Sequence, residues 1–349
     1  MSAPVSTTAA RPKAAASGSR TALAEGAAWI VLAAALFILP SFGSVYVIYM
    51  VCLIAINVIA TVGLNITVGY AGLLSIGHSA FIGVGAYASA LMWLSFDTPL
   101  AVNIVVGAAA AFAVGIVFGL PALRIKGIYL AIATLAAQYS LYFVFQQWTS
   151  VTGGDRGLSL PQFDILGFGD KGFYWVVVLV SLAACLAARN LFRTRVGRSF
   201  IAVREKDYAA EVLGINVVWT KLVAFGIGAA YAGVAGALLA AFLRIVNPDQ
   251  FTLAVSVFFL AAVVVGGSAS ILGSILGAAP MTMMPELLRF GLEHVAGPGA
   301  DLAGFLSPLR ELIFGALIVG FLIFEPNGLV GLVRRALGHS EAYETRPEH

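Results

Sequence analysis

Long apolar runs separated by short polar breaks dominate the chain. Ten of them approach the roughly 20 residues that carry a helix across a bilayer. They are 25–41, 45–66, 73–96, 100–121, 127–148, 173–189, 221–243, 253–267, 269–290 and 307–324. The pattern predicts an all-α integral membrane protein of about ten transmembrane helices. Eight is the lower bound, because a run such as 253–267 is short for a full crossing. Residues 1–24 are expected to be a disordered tail, 25–330 the membrane domain and 331–349 a second tail.

One run differs from the others. Between Gly63 and Trp93 it carries Gly63, Gly69, Gly72, Gly77, Gly83 and Gly85, and a thread of polar groups: Asn65, Thr67, Ser75, His78 and Ser79. A lipid-facing helix needs none of these. Glycines let helix backbones approach closely, and polar groups in lipid find partners or face a cavity. The thread is therefore expected to line a path. A fainter echo follows: Val68–Gly77 resembles Val265–Ser274, with Gly266 in the place of Gly69. Paired glycine-interrupted segments in two halves of a transporter point to its translocation site.

Charge orients the runs. With the N-terminus inside, the inner segments hold 15 of the 20 Lys and Arg residues. The outer ones hold Arg156, Lys171, Arg244, Arg289 and Arg310. Basic residues stay on the cytoplasmic side, so both termini are expected there. The segment 149–172 is expected to form an external loop with a short helix, and Asp155, Asp164 and Asp170 make it mildly acidic. The segment 189–220 becomes the long cytoplasmic connection. Within it, 207–213 reads as a short helix with Asp207 as N-cap and Gly214 just past its end. Ala209, Val212 and Leu213 share one face. Such a helix invites docking by another protein.

Composition sharpens what is excluded. Sixty per cent of residues are hydrophobic and 11% charged, against about 25% charged in a soluble domain. Cys52 and Cys185 lie in apolar runs without metal-ligand spacing, so neither a disulfide framework nor a zinc site is expected. Gly83-Val84-Gly85-Ala86-Tyr87-Ala88 fits a dinucleotide fingerprint but follows no strand. No G-x-x-x-x-G-K-[ST] loop and no H-E-x-x-H occur. The chain is expected not to be an enzyme and to bind no metal. His78 is the only titratable group deep in the first half. That scarcity argues against proton or sodium coupling, so the driving energy is expected from another polypeptide. A self-sufficient channel or facilitator is the rival reading.

Four ordered segments then resemble one family. The first is Gly63-Leu64-Asn65 and Val68 through Phe81. The second is Arg124-Ile125-Lys126-Gly127 through Leu135, followed by Thr152-Gly153-Gly154. The third is Gly197-Arg198 through Arg204-Glu205, then Ala209-Ala210-Glu211 and Leu213-Gly214-Ile215-Asn216. The fourth is Pro248-Asp249, then Val264-Val265-Gly266-Gly267 with Gly273 and Gly277. Together they are similar to the permease subunits of branched-chain amino acid ABC importers, the M-type member of the pair in particular.

The resemblance implies a bacterial inner-membrane, multi-pass subunit and a division of labour. It implies two ATP-binding subunits that use the ATP, a second homologous permease and a periplasmic solute-binding protein, with membrane lipid around them. It implies no cofactor on this chain and no nucleic acid partner. It also implies that Glu205, Asp207, Ala209, Ala210, Glu211 and Gly214 form the ATPase-docking element. Asn65, Thr67, Ser75, His78, Ser79 and Gln138 are the candidate path residues. Gly69, Gly72, Gly77, Gly266 and Gly267 are the gating or packing glycines. Many relatives carry Gly and an acidic residue where this chain has Ala136-Ala137-Gln138. Urea and short-chain amides are therefore the alternative cargo.

Overall fold

The computed structural model describes residues 44–123, 127–161, 169–296, 303–325 and 328–336. Met1–Tyr49 and Met50–His349 are separate units. Of the first, only 44–49 are described, the opening of α1. The expected first span at 25–41, both expected tails apart from 331–336, and the motif residues Arg124, Ile125 and Lys126 lie outside the described residues.

The described chain is helical almost throughout. The helices are α1 (Val45–Asn65), α2 (His78–Phe96), α3 (Leu100–Gly119), α4 (Ile128–Gln147), α5 (Gly169–Leu191), α6 (Arg195–Glu205), α7 (Asp207–Val212), α8 (Val217–Leu243), α9 (Leu253–Gly266), α10 (Ile271–Ala296), α11 (Ala303–Phe324) and α12 (Gly328–Ala336). Eight helical segments among the described residues are long and apolar enough to cross a membrane. They coincide with eight of the ten expected runs, and α11 covers the tenth. The short run at 253–267 reaches 19 residues because a 3-10 turn, Pro248–Phe251, precedes α9.

Local chemistry sets several boundaries. Asp97 closes α2 in the left-handed conformation, its N–H donating to Trp93 O, and Pro99 starts α3 in extended geometry. Asn216 caps α8 by accepting from Trp219 N at 2.9 Å. Supplying an orphan N–H with a side-chain acceptor is what makes Asn a preferred cap.

At the other end of α8, two-residue strands β1 (Leu158–Ser159) and β2 (Ile245–Val246) pair antiparallel. Leu160 N also donates to Arg244 O at 2.8 Å. These bonds clip the 149–161 segment to the end of α8. That segment does contain a short helical turn, Thr149–Thr152. The strand pairing was not foreseen, because two residues carry no readable alternation.

The core is built around α8, which packs along α2 and α3. In lipid, helices associate through close backbone packing rather than the hydrophobic effect, so small residues mark the seams. Gly85, Gly107 and Gly233 meet where α2, α3 and α8 cross: a methyl group added to Gly85 would collide with Gly233, and one on Gly107 would sit 2.8 Å from Gly85 O. This accounts for the nucleotide-like spacing around Gly83 and Gly85, which lie in mid-helix. Gly115 and Gly119, one turn apart on α3, face Ala229 and Phe225. Around the seam, Phe81, Tyr87, Phe145, Phe251 and Phe259 pack with Ile59 and Leu238. A smaller cluster joins Ala261, Ala262 and Met281 to Leu317 and Ile318 of α11.

Candidate functional site

The stretch after α1 is not a plain span. The chain continues past Asn65 into a π-helical turn, Ile66–Tyr70, then leaves the helix until His78. The expected span at 73–96 therefore begins five residues late: Ala71–Gly77 is apolar in composition but turned in backbone. Gly72 adopts φ +67°, a conformation that costs other L residues energy. A π-turn inside a helix is a frequent mark of a functional site.

Asn65 joins this first turn to its echo. Its Nδ2 donates to Ser270 O and to Ser274 Oγ, both at 2.8 Å, and its Oδ1 accepts from Ala269 N at 2.9 Å. Gly69 lies over the same contact: a Cβ there would overlap Asn65 Oδ1 and sit 2.6 Å from Ala269 N. In the second turn Gly267 has φ +117° and Ala269 φ +57°. Gly266 packs directly on Gly273 and Gly277. The two similar segments are thus pressed together, with one buried amide as their fastening. A buried amide with all its strong bonds made holds one arrangement; stripped of them it is costly.

The other candidate path residues sit nearby, and all six are buried. Thr67 packs where α1 meets α8, its Oγ1 3.4 Å from Ala224 O. Ser75 lies in the turn. Gly77 rests on Thr134 of α4, whose Oγ1 accepts from Ile76 N at 3.0 Å. His78 Nε2 lies 2.8 Å from Ala60 O. A carbonyl only accepts, so Nε2 carries the proton there. The ring meets Phe259 edge-on at 5.9 Å.

Ser79 and Gln138 belong to one network. Gln138 Nε2 donates to Phe251 O at 2.6 Å, and its Oε1 accepts from Ala80 N at 2.9 Å. Ser79 Oγ lies 2.8 Å from Thr252 O and 3.0 Å from Gln138 Oε1, and Ser256 Oγ accepts from Ser79 N at 2.9 Å. This network binds the start of α2, the middle of α4 and the start of α9. Sequence reasoning missed Thr134, Ser256, Ser270 and Ser274. The available signal was spacing: Thr134 and Gln138, Thr252 and Ser256, and Ser270 and Ser274 each lie four apart, on one helix face. The assembly is uncharged and spends its hydrogen bonds within the chain. Its bonds hold one arrangement of these helices. It offers no nucleophile and base.

Helix α6, and Phe192 just before it, pack against the first turn. Tyr70 stacks on Phe192 with ring centroids 3.5 Å apart, and Gly72 lies against Arg204, which a Cβ would approach to 3.0 Å. Helix α7 is as short as expected, with one correction. Lys206, not Asp207, occupies the cap position; Asp207 begins the helix. Its carboxylate takes a different partner, the buried Lys221 ammonium at 2.7 Å.

Gly214, at φ +82°, does follow the helix end. Ile215 N donates to Ala210 O and Gly214 N to Glu211 O, the paired bonds that close a helix on a left-handed glycine. Of the six expected docking residues, Glu205, Ala209, Glu211 and Gly214 are exposed, Asp207 is engaged within the chain and Ala210 is buried. The exposed face gains Tyr208, Val212 and Leu213, each at least 72% accessible. They leave apolar side chains exposed on an otherwise polar connection.

With this geometry in place, similarity to known proteins is informative. Residues 46–322 match the family model described as branched-chain amino acid transport system / permease component. The chain is 34% identical over 341 residues to the high-affinity branched-chain amino acid transport system permease protein LivM of Salmonella typhimurium, covering 89% of this chain and 75% of the relative. The LivM protein of Escherichia coli is 33% identical over the same share of each chain. The LivH permease protein of Escherichia coli is 27% identical over 77% of this chain and 89% of the relative. No solved structure matches. The multi-pass helical chain, its joined glycine turns and these similarities together place it: this protein belongs to the permease component family of branched-chain amino acid transport systems.

Proposed function

We propose that this chain is the M-type permease subunit of an ABC importer that carries branched-chain amino acids into the cytoplasm. The match across residues 46–322, with LivM proteins at 34% and 33% identity, carries this reading. Two ATP-binding subunits drive the cycle, a second homologous permease completes the path, and a periplasmic binding protein supplies cargo. The subunit lies in the bacterial inner membrane with its α6–α7 end in the cytoplasm, as the distribution of Lys and Arg favours.

A contiguous set of contacts suits this task. A partner gripping α7 would move α6. Phe192 and Arg204 would pass that motion to Tyr70 and Gly72. Asn65 would pass it across to Ala269 and Ser270, where α9 turns into α10. Coupling of this kind biases an element with two discrete arrangements, and the paired turns are that element. Asn65, Thr67, Ser75, His78, Ser79 and Gln138 then shape the path by fixing its walls, with Gly69, Gly72, Gly77, Gly266 and Gly267 permitting the close sliding.

Radiolabelled leucine, isoleucine and valine uptake into proteoliposomes tests the reading. The full assembly with binding protein should accumulate them only with ATP, and this chain alone should pass none. ATP-independent flux through the chain alone would instead establish a channel. Preference for urea or acetamide would overturn the cargo.

A further inference from the structure

Helices α3 and α4 both expose one face along their whole length, and the two faces differ in kind. The exposed residues of α3 are Ala101, Val102, Val105, Ala109, Phe112, Ala113 and Val117. Hydrocarbon of this sort is what lipid tails accept. On α4 the exposed stripe runs through Ile132, Ala136, Tyr139, Ser140, Phe143 and Gln147. It begins beside Tyr129, and from there to Gln147 it covers about 27 Å of helix, close to the thickness of the hydrocarbon layer. Tyr139 is 56% accessible and lies with Ser140 at mid-helix. Neither hydroxyl finds a hydrogen-bond partner among the described residues. Among those residues, no other membrane-spanning helix exposes a hydrogen-bonding side chain at its middle. Polar side chains at such depth face a cavity or a partner, not lipid.

The opposite side of α4 explains why this face is held outward. Gln138, the neighbour of Tyr139, is buried and bound to Phe251 O and Ala80 N. Thr134, one turn earlier, is buried and bound to Ile76 N. These bonds fix the rotation of α4, so Ala136, Tyr139 and Ser140 stay directed away from their own subunit.

We propose that the Ala136–Tyr139–Ser140–Phe143 face of α4 lines a hydrated cargo path between this subunit and its permease partner, and contacts the cargo. The face combines hydroxyls, which can exchange transient hydrogen bonds with an ammonium or a carboxylate, with aliphatic and aromatic surface. That combination suits a zwitterionic amino acid with an aliphatic side chain. The proposal rests on the transport reading above and assigns it a surface.

Single-cysteine variants in the complete ATP-driven assembly test it. Ser140→Cys and Ala136→Cys probe the face of α4, and Ala109→Cys probes the lipid-like face of α3 at similar depth. The parent, with Cys52 and Cys185 both buried, supplies the background. A charged methanethiosulfonate reagent needs a hydrated thiolate. The α4 variants should therefore label about ten-fold faster than Ala109→Cys, because charged reagent and thiolate both require water at that depth. Leucine delivered by the binding protein should slow that labelling, and labelled protein should lose uptake. Ala136→Cys serves if Ser140→Cys fails to insert.

Labelling of both α4 variants no faster than Ala109→Cys would overturn the proposal. Dry packing against the partner permease would give that result. Leucine uptake by the unlabelled parent separates the two failures. If the parent transports and α4 is inert, the path assignment falls alone. If the parent moves no branched-chain amino acid, the transport reading falls.

Discussion

The crossing of α2, α3 and α8 and the short helix α7 are built on opposite plans. At the crossing, Gly85, Gly107 and Gly233 bring three backbones into contact with no side chain between them. No side chain could be added there without a collision. In and just after α7, Tyr208, Val212 and Leu213 stand exposed, while Ala210 is buried and Asp207 turns to Lys221. One region is made to stay fixed while the other is left free to be held. On the proposed reading, motion would enter through the connection and pass into the paired turns, while the α8 seam carries the frame.

Substitutions can break or sharpen this contrast. Gly233→Leu should have the largest effect. A first carbon there already lies 2.7 Å from Ala111 Cβ, and overpacking a tight core costs about 1–3 kcal/mol or more. No folded subunit should be recovered by size exclusion in detergent. Wild-type recovery would mean the seam is not rigid.

Asp207→Ala should come next. It strands the buried Lys221 ammonium, and breaking a buried ion pair in this way costs about 3 kcal/mol. Adding Lys221→Met should restore most of the stability measured by denaturant unfolding. Gln138→Leu should cost about 2 kcal/mol, because Phe251 O and Ala80 N lose their partner. An unchanged midpoint would remove the network from the frame.

Ala269→Gly should act in the other direction. It relieves a non-glycine residue at φ +57°, and thermal unfolding should show a gain of about 1 kcal/mol. Glu211→Lys should move stability least, within about 0.5 kcal/mol, as expected of an exposed site. It should nevertheless abolish ATP-driven uptake while the subunit still inserts. Normal uptake by that variant would remove α7 from the docking role.

How much of this was legible follows from distance along the chain. Hydropathy is a local sum, so eight spans matched helices closely, and Gly214 was readable because helix closure involves only its neighbours. The start of α2 was misjudged because Leu73 and Leu74 look like membrane residues while their backbone turns. Asp207 was read as a cap because its attraction to Lys221 acts across 14 positions. The fastening by Asn65 was beyond reach for the same reason, since its partners lie 204 to 209 positions away. The echo between Val68–Gly77 and Val265–Ser274 hinted at the pairing without revealing the contact. Burial also could not be read. Gln138 and Tyr139 are adjacent and both polar, yet one holds its own subunit together and the other faces out of it.

Helix α8 has a final consequence. Its 27 residues measure about 40 Å, while the hydrocarbon of a typical bilayer is about 30 Å thick. The surplus has to be absorbed by tilt or by projection into the headgroups. Trp219, 64% exposed in the first turn of α8, is an aromatic side chain of the kind that settles at that boundary. Because α8 is locked to α2 and α3, a change of its tilt turns the frame as a unit. Shorter lipid chains should therefore increase that tilt, a change imposed from outside without altering a residue.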